Sequence, residues 1–343
     1  MSASVDTRTG IAPGILGTIG STPLIGLDRL SPGRDVKVFA KLEAFNPGGS
    51  IKDRVAHSLL AAALHEGELV PGRSTVVESS SGNLAIGLAQ LCRFHGLDFI
   101  AVVDAHTPRH TLARLRAFGA RIEQVCEPDP DSGQYLPSRL RRVRELVATV
   151  PGAYWPNQYA NPLNPRAHAA TFEEVLTAVD GHRVDYLFVA TGSCGTLRGC
   201  ADYIRRHALP TRIVAVDAVG SAIFGSRVAC ERLIPGHGAA IRPALFHPTD
   251  ADAVVHVSDV ECVRACRALV RSEAIMAGGS SGAVTAAFES FGPRLPSGSV
   301  CVLIFPDDGD RYLETIYSDT WVRDTFGADA LRESGPAEAV TAP

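Results

Sequence analysis

The sequence predicts an α/β fold of two domains, each with a twisted, mostly parallel sheet flanked by helices. The chain is 343 residues long, which suggests roughly two domains. Apolar residues make up 45% of it, ample material for a core. Short β-branched runs alternate with longer amphipathic stretches, which is typical of parallel strands joined by right-handed helical crossovers.

Strands and helices are expected in alternation along the chain. The strands are expected at 36–42, 75–79, 99–104, 120–125, 186–190, 213–217, 254–257 and 300–305. The helices are expected at 51–66, 83–95, 109–118, 138–149, 167–179, 196–207, 259–272 and 281–290. The Pro- and Asn-rich segment 151–166 interrupts this alternation, so we expect the junction between the domains there.

The domain limits follow from this pattern. We expect an N-terminal α/β domain over 12–157 and a C-terminal one over 158–325. Whether the first segment of the N-terminal domain crosses to the other domain is left open. Residues 1–11 and 326–343 show no apolar periodicity, so we expect both ends to be disordered.

Composition argues against several classes of protein. The formal net charge of −4 gives no electrostatic footprint for nucleic acid or an acidic membrane surface. No stretch approaches the roughly 20 apolar residues of a membrane span. The first residues lack the basic-then-apolar order of a signal peptide, so we expect a cytoplasmic protein. The eight cysteines are scattered without a C-x-x-C pair, so neither a disulfide framework nor a metal site is expected.

The loop 46–54 (NPGGSIKDR) carries the first chemical signature. Its two glycines permit a tight turn, and Ser50 can cap the helix that follows. Lys52 then falls in the first helical turn, where the positive end of the helix dipole disfavours an ammonium group. Such a lysine suits use as a neutral amine or a Schiff base, which requires a lowered pKa. A solvated cation after a turn is the alternative, while Lys37 and Lys41 are expected at ordinary strand positions.

Three further loops are rich in Gly, Ser and Asn. Residues 78–83 (ESSSGN) offer hydroxyl and backbone N–H groups that suit a carboxylate, with a generous helix cap as the alternative. Residues 191–196 (TGSCGT) lack the patterns of nucleoside triphosphate and dinucleotide loops, which leaves a cradle for one phosphate or an ordinary turn. Residues 278–282 (GGSSG) match a hydrolase elbow in letters only, because a helix is expected before them and no histidine follows Ser280.

Taken together, these loops indicate one cofactor. A Schiff-base lysine, a carboxylate loop and a single-phosphate cradle are what pyridoxal phosphate acting on an amino acid requires. Over about residues 15–315, the chain resembles the fold-type II pyridoxal-phosphate enzymes, the cysteine synthase family. The matching segments are residues 19–24, the Lys52 loop, the Ser-Gly-Asn loop, residues 192–196, the Gly-Ser-Ser-Gly segment and residues 306–312.

The resemblance implies roles for the matching residues. Lys52 would hold the cofactor covalently, and Asn83 would bond its ring hydroxyl. Ser280 would face the pyridine nitrogen, where a serine cannot stabilise a protonated ring, so loss of a β-leaving group is favoured over transamination. The substrate carboxylate would be bound by Ser80, Ser81, Gly82 and Gln158. The cofactor phosphate would be bound by Gly192, Ser193, Cys194, Gly195 and Thr196, with Cys194 in place of a glycine.

The resemblance is closer to one branch of the family. Its members join O-phospho-L-serine to the amine of L-glutamate and release phosphate, giving N-(2-amino-2-carboxyethyl)-L-glutamate for 2,3-diaminopropionate in siderophores and peptide antibiotics. The matching segments are residues 127–129, 134–136, 154–155, 157–161, 216–218, 220–221 and 317–321.

Two substrates with anionic groups require cations, and Arg139 is the candidate, since arginine binds phosphate and carboxylate bidentately. A solvated helix face is the alternative for its charge run, 139–144. The Tyr159 hydroxyl can bond the second substrate, or Tyr159 is a core residue.

Two other functions stay open. One is a cysteine synthase, either an O-acetylserine or an O-phosphoserine sulfhydrylase, or a related lyase on the same cofactor. The other is a non-catalytic binding protein on the same fold. The expected partners are amino-acid substrates and a second copy of the chain, because relatives are commonly homodimers.

Overall fold

Two β-sheets organise the molecule, one of six strands and one of four. The computed structural model describes residues 12, 14–31, 33–131, 133–179, 183–225 and 232–332. The strands are β1 Leu24–Gly26, β2 Val36–Leu42, β3 Thr75–Ser79, β4 Asp98–Asp104, β5 Arg121–Val125, β6 Ala153–Tyr154, β7 Tyr186–Ala190, β8 Arg212–Ala218, β9 Ala253–Val257 and β10 Ser299–Phe305.

The helices alternate with these strands. They are α1 Lys52–His65, α2 Asn83–His95, α3 Arg109–Ala117, α4 Tyr135–Thr149, α5 Leu163–Ala178, α6 Gly195–Arg206, α7 Asp259–Glu273, α8 Gly279–Phe291 and α9 Asp319–Phe326. No helix in the described part of the chain is long and apolar enough to cross a membrane.

The two sheets are almost entirely parallel. The large sheet has the order β1-β2-β10-β7-β8-β9, and the small sheet has the order β5-β4-β3-β6. Among the strands of the described residues, only β1, which pairs with β2, is antiparallel to its neighbour. The α/β class predicted from the alternating pattern is confirmed.

Helices cover both faces of each sheet. On one face of the large sheet, Phe188 of β7 packs edge-on against Phe288 of α8, with ring centroids 5.6 Å apart. Phe172 of α5 is buried on the other face. The small sheet packs α1 and α2 on one face, while Val143 of α4 contacts Val77 on the other. Each sheet therefore has its own core, and the carboxyl ends of its strands are left for ligands.

Some elements differ from the sequence-based expectation. β1 and β6 were not expected from the sequence, because strands of three and two residues are too short to show alternation. The helix α9 was not expected either. α5 begins at Leu163, inside the segment expected to be irregular. Pro165 is tolerated there because it lies in the first turn, where a backbone N–H has no helical partner. The Asn161 side chain also accepts a hydrogen bond from the Leu163 N–H at 3.0 Å.

Two observations bear on the expected domain limits. β1 and β2 lie in the large sheet beside β10, so the first segment pairs with strands from the later half of the chain. The division between residues 157 and 158 stays a prediction. Of the tail expected to be disordered, residues 328–331 form a short 3₁₀ helix in which Ala330 is buried. Residues 1–11 and 333–343 lie outside the described residues.

Candidate active site

Lys52 begins α1 directly after a tight turn. The turn passes through Gly49 at φ 82°, a conformation that favours glycine. The Ile51 N–H donates to the carbonyl of Pro306 at 2.8 Å, which joins the turn to the segment after β10. Burial lowers the pKa of the Lys52 amine to about 8, although Asp307 and Cys194 oppose this. A lowered pKa is the condition for a lysine that forms a Schiff base.

The turn before Lys52 is held by side chains from separate elements. Arg114 of α3 donates to the Gly48 carbonyl at 3.1 Å, and Arg311 donates to the same oxygen at 2.8 Å. The Asp53 carboxylate accepts from the Gly48 N–H. These contacts fix the path of the backbone that leads to Lys52.

Asn83, the first residue of α2, contacts the other sheet. Its amide nitrogen donates to Asp307 Oδ2 at 2.9 Å, and the Tyr312 hydroxyl donates to the same oxygen at 2.8 Å. Asp307 is fully buried. Sequence reasoning included Asp307 in a matching segment but gave it no role; its position just after a central strand was the available signal.

In the loop expected to bind a carboxylate, two serine hydroxyls have different hydrogen-bond partners. Ser80 Oγ accepts from the Ala85 N–H at 3.2 Å and therefore helps to cap α2. Ser81 Oγ instead accepts from Arg139 Nη1 at 3.1 Å. Within the described residues, no atom lies within 4 Å of where a Cβ on Gly82 would be, so the loop is open there.

Arg139 is buried at this loop. Its guanidinium lies 3.4 Å from Asp104 at the end of β4, in addition to its bond to Ser81. The expected alternative, a solvated helix face, describes Arg141 better, since that side chain is 54% exposed. Tyr159 is half-buried nearby. Burial raises the pKa of its hydroxyl; the charge of Arg139 opposes this rise, and that of Glu78 adds to it.

Gln158 is hydrogen-bonded to the start of the loop at 78–83. Its side-chain amide donates to the carbonyl of Ser79 at 3.3 Å, and its backbone N–H donates to Glu78 Oε2 at 3.2 Å. Burial raises the pKa of Glu78 to about 7. Trp155 also donates to this carboxylate at 3.3 Å. Glu78 was not assigned a role from the sequence.

The expected phosphate cradle lies between β7 and α6. Backbone N–H groups in the first turn of α6 have no helical acceptor, which suits an anion. Asn164 donates to Ser193 Oγ at 3.2 Å, and His168 lies 3.3 Å from Thr196 Oγ1. A Cβ on Gly195 would lie 2.0 Å from the Asn164 side chain, so only glycine fits there.

Cys194 occupies a backbone conformation that usually favours glycine. Its φ is 64°, and its side chain packs against Ile223 and Leu245. Burial raises the pKa of the thiol to about 12, so it stays protonated at neutral pH. The side chain is directed into this apolar cluster, while the residue keeps its backbone N–H at the start of α6.

Ser280 lies in the first turn of α8 and is buried. A Cβ on Gly236 would lie 3.2 Å from its hydroxyl oxygen, so glycine allows this close approach. The neighbouring Gly278 N–H donates to the Asp307 carbonyl at 3.1 Å. Because the loop before Ser280 follows a helix, the nucleophile elbow of a hydrolase is ruled out here.

The contacts join these residues into one cleft between the sheets. Asp307 links the Lys52 turn, Asn83 and Gly278. Asn164 links Ser193 to Gln158, whose carbonyl accepts from it at 2.8 Å.

Several buried polar atoms in the cleft have no partner within the described residues. They are Ser281 Oγ, Asn164 Oδ1, Arg139 Nε and Asp307 Oδ1. A reactive amine, an anion cradle and unused polar atoms fit a ligand with an aldehyde and a phosphate.

Comparison with known proteins identifies the family. A family model for pyridoxal-phosphate dependent enzymes matches residues 15–307. The chain belongs to this family. The resemblance predicted from the sequence is thereby confirmed, and the cofactor of this pyridoxal-phosphate dependent enzyme is pyridoxal 5'-phosphate.

Two curated proteins and one solved structure are similar to this chain over about nine-tenths of its length. The chain is 45% identical over 313 residues to N-(2-amino-2-carboxyethyl)-L-glutamate synthase of Ralstonia nicotianae, covering 91% of each. It is 43% identical over 311 residues to the enzyme of the same name from Cupriavidus metallidurans, covering 90% of each. The crystal structure of O-ureido-L-serine synthase is similar with a TM-score of 0.83 and 31% identity, covering 92% of this chain and 96% of that one.

Proposed function

We propose that this enzyme replaces the phosphate of O-phospho-L-serine with the amine of L-glutamate. The products are N-(2-amino-2-carboxyethyl)-L-glutamate and phosphate. The observation that carries the proposal is the similarity, over nine-tenths of the chain, to two enzymes named for this product. The buried Arg139 beside Ser81, in a cleft that must accept several anionic groups, supports it.

Lys52 is the residue that binds the cofactor and moves the proton. When bound, pyridoxal phosphate supplies an electrophilic aldehyde and an electron sink next to the substrate Cα. Lys52 would hold the cofactor through its amine, and that amine would be free once a substrate is bound. The free amine removes the Cα proton and later returns it to the product. Its pKa of about 8 keeps a useful neutral fraction near neutral pH.

The covalent change takes place at Cβ. The Cβ–O bond of phosphoserine breaks and phosphate leaves with the electron pair. The glutamate nitrogen then forms the Cβ–N bond and loses one proton, which balances the proton taken up by the released phosphate. Ser80, Ser81, Gly82 and Gln158 bind the substrate carboxylate. Ser80 also helps to cap α2, and Gln158 also bonds the Ser79 carbonyl. Arg139 and Tyr159 bind the anionic groups of the phosphate and of glutamate.

The remaining groups orient the cofactor. Asn83 bonds its ring hydroxyl, and Ser280 faces its ring nitrogen, where a neutral hydroxyl keeps the ring a weak electron sink. Prompt loss of a β-leaving group is therefore favoured. The phosphate is bound by Gly192, Ser193, Cys194, Gly195 and Thr196.

The identity of the reaction product tests the proposal. The purified enzyme is incubated with phosphoserine plus glutamate, and in parallel with phosphoserine plus sulfide, and the products are measured by mass spectrometry. We expect the glutamate adduct and stoichiometric phosphate, both lost in Lys52→Ala. Cysteine from sulfide with no glutamate adduct would instead identify a cysteine synthase.

A second measurement tests Lys52 separately. Borohydride reduction of the holoenzyme followed by peptide mapping should find the pyridoxyl group on Lys52. A label on another residue would remove Lys52 from the mechanism whatever the product is.

The finer assignments are part of the same proposal. We infer that the enzyme is a cytoplasmic homodimer and that its product serves 2,3-diaminopropionate synthesis for a siderophore or a peptide antibiotic. The resemblance to one branch of the family supports this. Light scattering of the purified protein tests the dimer.

A further inference from the structure

Asp307 lies where the two sheets meet. It follows β10 by two residues, and its backbone forms an isolated bridge with Ser50, two residues before Lys52. It is 2% exposed. A carboxylate removed this far from water needs compensating partners.

The side chain of Asp307 accepts two hydrogen bonds and lies near one cation. Its Oδ2 accepts from Asn83 at 2.9 Å and from the Tyr312 hydroxyl at 2.8 Å, and Arg311 Nη1 lies 4.0 Å away. Its Oδ1 has no partner in the described part of the chain. A proton on Oδ1 would find no acceptor there, so protonation gains no hydrogen bond. Burial raises the pKa of this carboxyl, while Arg311 and the two donors oppose that change.

The neighbouring backbone makes room for this carboxylate. A Cβ on Gly278 would lie 2.0 Å from Asp307 Oδ1, so any larger residue would displace the carboxylate. The same glycine donates its N–H to the Asp307 carbonyl at 3.1 Å. Gly278 immediately precedes α8, which carries Ser280, so the aspartate is in contact with three segments of the cofactor site.

We propose that Asp307 is a positioning residue of the cofactor site, which fixes the Asn83 amide and supplies a negative charge beside the turn that carries Lys52. The proposal rests on Lys52 as the cofactor lysine. An amide nitrogen carries two hydrogens, and Asp307 takes one, which sets the plane of the amide and leaves the other for the ligand. The negative charge favours the ammonium form that Lys52 must adopt after it removes a proton.

Other charged or titratable groups also face this pair. Cys194 and His168 interact with Lys52, but the buried Cys194 thiol and the buried His168 imidazole are both neutral near pH 7. Arg311, Asp308, Tyr312 and Cys266 surround Asp307. Of the two groups that oppose the effect of burial on the Lys52 pKa, Asp307 is a carboxylate, whereas Cys194 is a neutral thiol near pH 7.

The test measures the protonation of Lys52 in the full-length protein after removal of the cofactor. Acetylation at a series of pH values, followed by peptide mass spectrometry, gives the pH midpoint at which Lys52 becomes reactive, with exposed Lys37 as the internal reference. We expect a wild-type midpoint of about 8. Asp307→Asn, which has the same shape without the charge, should lower it by about one pH unit.

Controls separate this role from a purely structural one. Asp308→Asn removes the adjacent charge and should leave the Lys52 midpoint unchanged. Asp307→Ser, smaller and also neutral, should shift the midpoint downward as Asp307→Asn does, and it serves if Asp307→Asn does not fold. A midpoint equal to wild type in a folded Asp307 variant, or an equal shift in Asp308→Asn, overturns the proposal. No substrate is present, so failure of the glutamate reaction would leave this result untouched.

Discussion

Arginines in the same charge run can have different surroundings, as Arg139 and Arg141 show on α4. Arg139 is buried between Asp104 and Ser81. Arg141 is mostly exposed and pairs with Asp129 at 3.2 Å. A surface pair of this kind contributes little, whereas a buried guanidinium at a substrate loop can form strong charge-assisted hydrogen bonds.

The first prediction concerns these two arginines. Arg139→Gln should lower kcat/KM for phosphoserine about 10- to 100-fold, because a hydrogen bond to a charged group contributes about 1.5–3 kcal/mol. Arg141→Gln should change it less than about twofold. Steady-state assays of phosphate release check both. Since Arg139→Gln leaves Asp104 buried without its cation, the Arg139→Gln/Asp104→Asn double variant is the matched control. Equal activity of the Arg139 and Arg141 variants would contradict the assignment.

An ionic network ties three elements together beneath the site. Lys41 of β2 lies 2.6 Å from Glu174 of α5, and Arg54 of α1 lies 2.7 Å from the same carboxylate. Arg54 also pairs with the buried Glu43 at 2.7 Å. Lys41, which the sequence pattern presents as an ordinary strand position, is 1% exposed. The network holds the helix of Lys52 against the large sheet.

The second prediction follows from Glu174. Its pKa is lowered from 4.5 to about 2: burial acts upward, but hydrogen bonds and charge from Arg54 and then Lys41 outweigh it. A depressed carboxyl pKa stabilises the fold above the unfolded value and loses this contribution as pH falls through the folded value. At pH 6, the free energy of unfolding of Glu174→Gln should therefore be lower than that of wild type, by at most about 3 kcal/mol.

The pH dependence of that difference is the decisive measurement. The gap between wild type and Glu174→Gln should narrow as pH falls from about 4.5 to about 2. Denaturant unfolding at several pH values checks this. Glu173→Gln, at the exposed neighbouring position, should match wild type throughout. A gap that is constant with pH would mean that the ionised carboxylate is not the source of the stability.

Across the whole molecule, the groups proposed to bind the cofactor come from both sheets. Asn83 follows β3 of the small sheet, whereas the cradle at 192–196 follows β7 of the large one. A ligand that contacts both must hold the two cores together.

The third prediction is that the cofactor stabilises the protein as one unit. Pyridoxal phosphate at 100 times its dissociation constant should stabilise the fold by about 2.7 kcal/mol and raise the unfolding temperature. Calorimetry should show a single transition for the holoenzyme. Lys52→Ala should show a smaller increase because the covalent bond is lost, and an increase equal to wild type would argue that Lys52 does not bind the cofactor.

Local patterns were sufficient for much of the fold and for part of the site. The helices at Asn83 and Asp259 and the strands at Val36, Thr75 and Tyr186 start where their patterns predict. Hydrophobic periodicity reports which face an element buries, and this is a local property. The glycine- and serine-rich loops likewise indicated a lysine-bound cofactor with one phosphate, and the family match agrees.

Other features depend on residues far apart in the chain. The pairing of β2 with β10, the burial of Lys41 and the contact between Asn83 and Asp307 each join segments separated by more than a hundred residues. No local pattern encodes such distances. The sequence by itself determined the fold class and the cofactor, and it predicted Lys52 as the lysine that binds that cofactor. Only the tertiary structure decided which carboxylate lies beside the Lys52 turn and which arginine of a charge run is buried next to Ser81, because burial and charge act through space rather than along the chain.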